Sequence, residues 1–355
     1  MVLLITRAVN IPSFFHIGRG KIANIQQILK SERVEVSRAI IVSGKSFTRS
    51  IGDVVERSLG GDLSRVHIED NEIPSIEKVE KAIIDFAPSL MIGVGGGKVL
   101  DVTKFCARKL NKPFLAIPTA LSNDGISSPI SVVHTDHGIR SIGTNPPIGI
   151  IVDTEVIKKA PRETILAGIG DLISNISAVD DWNLAGRYNG EKVDKFAEIL
   201  ARNSAEGFVQ SLMKNEDMIS ILDDQVLISL AEGLIQSGIA MSLAGSSRPC
   251  SGSEHLISHA LDQLLNFDKP HGLQVGLATL FSCALQLKDV SELITLYQRI
   301  GLPSTPLDLG ISTSTFLEAI KQAPHTRKDR FTILNLVSEN DVQEAIKTAY
   351  GIRNS

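Results

Sequence analysis

The sequence predicts two domains: an α/β N-terminal domain built on a parallel sheet and carrying a β-hairpin, then an all-α C-terminal domain. Three observations lead there. The chain has 355 residues, enough for about two domains. Its first part, to about Val152, alternates short β-branched runs with amphipathic stretches. After about Thr154, apolar residues recur at helical period and strand patterns almost vanish. The boundaries implied are 1–154 and 155–355.

Taken in order, apolar runs at Ala39–Val42, Val66–Ile68, Leu90–Val94 and Phe114–Ile117 read as strands. The stretches Lys21–Leu29, Thr48–Ser58, Ile76–Phe86 and Val99–Leu110 read as helices among them. Strand–helix alternation of this kind gives right-handed βαβ units and a Rossmann-like sheet. Ile130–Thr135 and Ile139–Ile142, joined through Asp136-His137-Gly138, predict the hairpin. Pro146-Pro147 interrupts the chain, and Ile148–Val152 forms a last strand. Beyond it, Ile219–Gly233, Glu254–Leu265, Leu273–Leu287 and Val290–Ile300 are helical in period. The cleft between two such domains is the usual place for a ligand.

Composition narrows the function. Hydrophobic residues make up 43% and charged residues 21%, so the chain is globular rather than disordered. Lys and Arg total 36 against 40 Asp and Glu, a net charge of -4, with no basic excess to attract a phosphate backbone; no nucleic-acid partner is expected. Three scattered cysteines, Cys106, Cys250 and Cys283, form no CxxC pair and suit a reducing cytoplasm. Met1–Phe15 lacks signal-peptide features, and the longest oily stretch noted, Val275–Leu287, is too short to cross a bilayer. A cytoplasmic protein without membrane insertion is expected. The apolar C-terminal helices point to a homo-oligomer.

Two loops follow adjacent strands. Gly93-Val94-Gly95-Gly96-Gly97-Lys98 leaves a buried strand and opens a helix, a turn in which backbone N–H groups can approach a phosphate with no Cβ in the way. It is neither a Walker A motif nor a dinucleotide fingerprint at the first βα turn. Asp101, read as lying in the first helical turn, can cap free N–H groups or bind a ribose or amide group. Pro118-Thr119-Ala120-Leu121-Ser122-Asn123-Asp124-Gly125-Ile126-Ser127-Ser128-Pro129 is rich in hydroxyls. Ligands of open α/β sheets sit beyond the carboxyl ends of strands, so the pair of loops predicts a nucleotide site.

The sharpest feature is Ser253-Glu254-His255-Leu256-Ile257-Ser258-His259-Ala260-Leu261-Asp262. His255 and His259 are i, i+4 on a helix, Asp262 shares their face, and His271 opens the next helix. Imidazoles with a carboxylate suit Zn²⁺ or a similar divalent ion. Glu254, Asp262 and Asp171 are all available as the acid; Asp171 follows Gly168-Ile169-Gly170 at what reads as a helix start. Spacing alone does not choose among them, nor which two imidazoles bind.

Taken together, GVGGGK, GIGD, EHxxxH and HG make the chain similar to the metal-dependent polyol dehydrogenase and dehydroquinate synthase superfamily, a resemblance that spans nearly the whole chain. Pro118-Thr119 to Asp124-Gly125, Ser127-Ser128-Pro129 and Ser247-Arg248-Pro249 to Glu254-His255 narrow it to the sn-glycerol-1-phosphate dehydrogenase family. The resemblance implies a dehydroquinate synthase-like fold and a metal held by Asp171, His255 and His271. It places His259, Asp124 and Asp171 at the substrate, with His259 and Asp124 in catalysis. It places Gly95, Gly96, Gly97, Lys98, Val99, Leu100, Asp101, Thr119, Ala120, Leu121, Ser122 and Ser128 along the dinucleotide. Asn123 stands where a histidine is usual, and Cys250 where an alanine is common. The implied reaction is reversible NAD(P)H-linked reduction of dihydroxyacetone phosphate to sn-glycerol 1-phosphate, the glycerophosphate backbone of archaeal-type lipids. Zn²⁺ is the first choice of metal, with Ni²⁺ and Fe²⁺ compatible.

Other expectations concern specificity. The early strand ending Val42-Ser43-Gly44-Lys45 carries no acid to exclude a 2′-phosphate, so NAD(H) and NADP(H) are both expected. Arg248 and Arg140 are candidates for the substrate phosphate. The alternatives are a dehydroquinate synthase-like lyase, against which Asp171 argues because a glutamate is usual there, and a dehydrogenase of unphosphorylated glycerol.

Overall fold

The computed structural model describes residues 9–135, 138–214, 220–265 and 269–351. Two predicted features, the turn at Asp136 and His137 and the start of the helical run at Ile219, lie outside them.

The first part of the chain runs β1 (Phe14–Gly18), α1 (Ile25–Ser31), β2 (Arg38–Ser43), α2 (Phe47–Leu59), β3 (Asp62–His67), α3 (Ile73–Phe86), β4 (Leu90–Gly95), α4 (Gly97–Lys109), β5 (Phe114–Pro118), β6 (Ile130–Thr135), β7 (Gly138–Gly143) and β8 (Gly149–Asp153). Six strands form one sheet in the order β1-β8-β5-β4-β2-β3, every pair parallel. The inner strands are continuous buried apolar runs rather than alternating ones, because helices cover both faces of such a sheet. β6 and β7 pair antiparallel as the hairpin, Ile130 opposite Gly143.

The sequence gives no sign of β1. At the edge of the sheet, Phe-Phe-His-Ile-Gly is only partly covered and lacks both an unbroken apolar run and clean alternation. It is held by pairing with β8 and by the Asp153 carboxylate, which accepts N–H groups from Gly20 at 3.2 Å and Ile22 at 3.1 Å.

The rest is helical: α5 (Thr154–Ile157), α6 (Arg162–Ile173), α7 (Asn175–Asn189), α8 (Lys195–Met213), α9 (Asp224–Ala244), α10 (Ser253–Leu265), α11 (His271–Leu285), α12 (Ser291–Ile300), α13 (Thr313–Thr326) and α14 (Glu339–Tyr350). Helix α9 corrects the hydropathy reading. It is 21 residues long and its most apolar stretch has a mean hydropathy of 1.6, enough to cross a membrane by that measure alone, yet 61% of that stretch is buried inside the protein. It is a core helix. The three cysteines are free and buried.

The chain divides into two compact units, 1–119 with 125–153, and 120–124 with 154–355. The short segment Ala120–Asp124, which the sequence reading assigns to the first domain, packs with the helices.

Candidate active site

In the sheet unit, β4 ends at Gly95 and α4 begins at Gly97. A Cβ on Gly95 would lie 2.5 Å from Val99, so this glycine lets α4 seat against the strand. Gly96 has nothing within 4 Å of the same position, which leaves its backbone open to a ligand. Lys98 is exposed, whereas Val99 and Leu100 bury their side chains in the core and can offer a ligand only backbone. Asp101 is not a cap: it is the fifth residue of α4, and its carboxylate accepts the Val132 N–H and faces Lys104 Nζ at 3.7 Å. Burial raises its pKa to about 6 against the pull of Lys104. Thr119 and Ser128 are buried, and Thr119 N–H bonds the Gly95 carbonyl at 3.0 Å.

In the helical unit, the motif glycines do the packing work of Gly95 rather than the open work of Gly96. Asp171 is not at a helix start; it is the third-last residue of α6. The two glycines before it are contact points. A Cβ on Gly168 would lie 2.0 Å from the Leu121 carbonyl oxygen, and one on Gly170 would lie 2.2 Å from that of Gly272. Close approach at Gly168 seats the 120–124 segment on α6, and Asp124 N–H reaches Asp171 Oδ2 at 2.9 Å. Close approach at Gly170 and Gly272 brings α6 against the start of α11, and with it Asp171 beside His271. Pro270 precedes α11, its carbonyl accepting the Leu273 N–H at 2.9 Å, and His271 is the first residue of the helix.

One ligand atom from each of Asp171, His255 and His271 lies within 4.8 Å of the others. His255 Nε2 is 3.8 Å from Asp171 Oδ1. A filled tetrahedral site has donor–donor edges of roughly 3.3 Å, so a small inward shift of the side chains closes the set. The remaining polar atoms are already committed. His255 Nδ1 bonds Glu254 Oε1 at 2.9 Å, and Glu254 is itself fixed by Gly252 N–H at 2.6 Å and Ser177 Oγ at 2.8 Å. His271 Nδ1 bonds Ser258 Oγ at 3.0 Å, whose hydroxyl donates to Gln274 Oε1 at 3.2 Å, while Gln274 Nε2 donates to Asp262 Oδ1 at 2.9 Å. Of the three acids the spacing left open, Glu254 and Asp262 therefore orient imidazoles, and Asp171 alone joins the donor group. Fixing each Nδ1 in this way leaves both Nε2 atoms available.

The electrostatics suit a cation. Burial, and then Arg330 and Arg327, push His255 down to about 3, and burial with His255 takes His271 to about 4, so both rings are neutral at neutral pH, as donors to a cation must be. Burial and the neighbouring Asp124 carboxylate raise Asp171 well above the usual range. A divalent ion among these atoms would relieve that penalty. The ring of His259 stacks 6.1 Å from that of His271 and hydrogen-bonds no described residue. Cys250 is buried, its thiol donating to the Ser237 carbonyl, and the Asp124 and Asp171 charges add to burial in holding it protonated.

The phosphate candidates fare differently. Arg248 spends its fork on Glu191, with Nε donating to Oε1 at 2.6 Å and Nη2 to Oε2, and Nη1 bonds the Phe331 carbonyl at 2.9 Å. It has no fork left for a second anion. Arg140 is exposed on β7 of the hairpin.

Comparison with known proteins agrees in family. Residues 16–161 match the iron-containing alcohol dehydrogenase family. Glycerol-1-phosphate dehydrogenase [NAD(P)+] of Pyrococcus abyssi is 35% identical over 335 residues, 94% of this chain and 95% of that protein. Its namesake from Pyrococcus furiosus is 38% identical over 90% of this chain and 91% of its own. The chain belongs to the glycerol-1-phosphate dehydrogenase family. Among solved structures, glycerol dehydrogenase of Schizosaccharomyces pombe superposes with a TM-score of 0.74 at 21% identity, covering 98% of this chain and 91% of that one. This shared fold is the dehydroquinate synthase-like arrangement of parallel sheet and helical region expected from the sequence. Family membership makes the chain an NAD(P)-linked oxidoreductase of a metal-using family.

Proposed function

We propose that the protein reduces dihydroxyacetone phosphate to sn-glycerol 1-phosphate with NADH or NADPH, reversibly, and so supplies the glycerophosphate backbone of archaeal-type lipids. The observation that carries the reading is the convergence of Asp171, His255 and His271 in a chain whose relatives are named for this activity. Those three side chains would hold the metal, with Zn²⁺ the first choice and Ni²⁺ or Fe²⁺ compatible with one carboxylate and two imidazoles. When bound, a divalent ion supplies Lewis-acid stabilisation of the negative charge that grows on the ketone oxygen as hydride arrives.

The remaining roles fall to the chain's own groups. The open backbone at Gly96, with Gly95, Gly97 to Asp101, Thr119 to Ser122 and Ser128, holds the dinucleotide. Asp124 positions a substrate hydroxyl. Burial and the neighbouring imidazoles push His259 down to about 3, so at neutral pH it is a neutral ring that passes a proton through rather than storing one. We place the enzyme in the cytoplasm, as a homo-oligomer, with no nucleic-acid or membrane partner.

The test is an assay of metal-stripped protein reloaded with each ion in turn. Oxidation of NAD(P)H should depend on the ion and on the phosphorylated ketone. Turnover of a dehydroquinate-type substrate with no net NAD(P)H consumption, or equal rates with unphosphorylated dihydroxyacetone, would overturn the reading. Asp171→Asn and His271→Ala should abolish metal retention while dinucleotide still binds, measured by metal analysis and NADH fluorescence.

A further inference from the structure

We propose that Arg327 and Arg330 form a binding site for a phosphomonoester dianion, which on the function proposed above is the phosphate of the three-carbon substrate. The two arginines stand at the ends of one turn after α13, closed by Arg330 N–H to the Arg327 carbonyl at 3.0 Å. Arg330 is 5% exposed. Its guanidinium donates to the Ser251 carbonyl and to Ser247 Oγ at 3.0 Å, which anchors it to the loop that leads into α10 and His255.

Its charge has no direct counter-ion; Asp329 and Glu254 act on it only from a distance and weigh less than burial and the neighbouring arginines. Among the described residues, no carboxylate lies within ion-pair distance of Arg330. The nearby Glu254 is already engaged by His255, Gly252 and Ser177. Arg248 shares the neighbourhood, but Glu191 neutralises it. Among the described residues, the one carboxylate paired with Arg327 is Asp329, at a loose 3.5 Å, and it is 77% exposed. Burial, and then Arg327 and Arg248, pull Arg330 down to about 9. A buried cation without a counter-ion is costly, and a ligand anion lowers the cost.

The location fits as well. The charges of Arg327 and Arg330 both bear on His255 and on His259, so an anion held there lies near the imidazoles proposed for metal and substrate. In dihydroxyacetone phosphate only a few bonds separate the phosphate from the ketone. Both Nη atoms of Arg330 already hold Ser251 and Ser247, so it offers an anion its Nε–H and the remaining Nη–H groups, while Arg327 brings the less committed fork. In the sequence, Arg327-Lys328-Asp329-Arg330 looks like a solvated charge run, and nothing in it signals that its last member is buried.

The experiment uses the metal-loaded enzyme and Arg327→Gln, Arg330→Lys and Arg330→Gln. Each variant should raise the KM for dihydroxyacetone phosphate at least thirtyfold. Each should also cut the preference for dihydroxyacetone phosphate over unphosphorylated dihydroxyacetone, in kcat/KM, by a hundredfold or more. Inorganic phosphate should inhibit the wild type competitively and the variants at least tenfold more weakly. Because Arg330 is buried, Arg327→Gln decides the matter if the Arg330 variants do not fold. A wild type with no preference for the phosphorylated ketone would sink the proposed function itself. A wild type with that preference, and an Arg327→Gln enzyme whose KM and phosphate inhibition stay within threefold, would sink this site alone.

Discussion

In the sheet unit, Gly96 follows β4 with nothing within 4 Å of where a Cβ would stand; in the helical unit, a Cβ on Gly272 would meet the Ala167 carbonyl oxygen at 2.0 Å. The first glycine is open so that something can arrive. The second is filled already, by the backbone of the neighbouring helix. Both lie in glycine-bearing motifs on which the family resemblance rests, GVGGGK and HG. The difference shows that a glycine cluster beside a chemical residue has two physical meanings, a cradle or a helix crossing, and that only the surroundings of the missing Cβ separate them.

That contrast can be broken by filling each position. Gly272→Ala should force α6 and α11 apart, at a cost at or above the 1–3 kcal/mol usual for overpacking, and should move Asp171 away from His271. Thermal unfolding should fall by several degrees, and the purified variant should contain little metal. Retention of both stability and metal would show that the close crossing does not position the site. Gly96→Ala should do the reverse. Its backbone, with φ -78° and ψ -171°, suits any residue, so the melting temperature should stay within about a degree while NAD(P)H binding weakens tenfold or more. Unchanged dinucleotide affinity would mean that the open backbone is not where the phosphates lie.

A smaller effect tests the groups behind the donors. Glu254→Gln and Ser258→Ala each disturb the hydrogen-bond partner of an imidazole proposed to hold the metal, at His255 and His271 respectively. Each should weaken metal affinity by about 10- to 100-fold, measured by competition with a chelator, without removing binding. Affinities equal to the wild type would leave the two hydrogen-bond chains with no part in holding the rings.

These partners also show where legibility stops. The inner strands β2, β4, β5 and β8 were readable because a strand buried on both faces is an unbroken apolar run, and the hairpin because its strands flank a glycine turn. Strand β1 was not, because edge strands need neither pattern. His255, His259 and His271 were visible through helical spacing. The choice of Asp171 over Glu254 and Asp262 was not, because it depends on which carboxylate the helix crossing leaves uncommitted. Arg330 was invisible for a related reason: a charged residue in a polar run carries no local mark of burial, which is conferred by the loop around Ser247 and Ser251.

The smallest effect concerns the dinucleotide's ribose. Strand β2 ends in Ser43, whose hydroxyl hydrogen-bonds His67 Nδ1 at 2.9 Å and is buried, so it is not free for a ligand. Lys45 pairs with Glu69, but both side chains are more than 60% exposed, and a pair so placed holds its partners weakly. A 2′-phosphate could therefore draw Lys45 away from Glu69, whereas NADH, lacking that group, would leave the pair intact. NADH and NADPH should bind within a hundredfold of each other, and Lys45→Ala should weaken NADPH by three- to tenfold while changing NADH by less than twofold. Glu69→Gln should shift preference the other way, toward NADPH, because it frees Lys45 and removes a negative charge. If NADPH binds the wild type more than a hundredfold more weakly than NADH, the absence of an acid at the end of β2 does not govern the choice, and Glu69 becomes the group that excludes the phosphate.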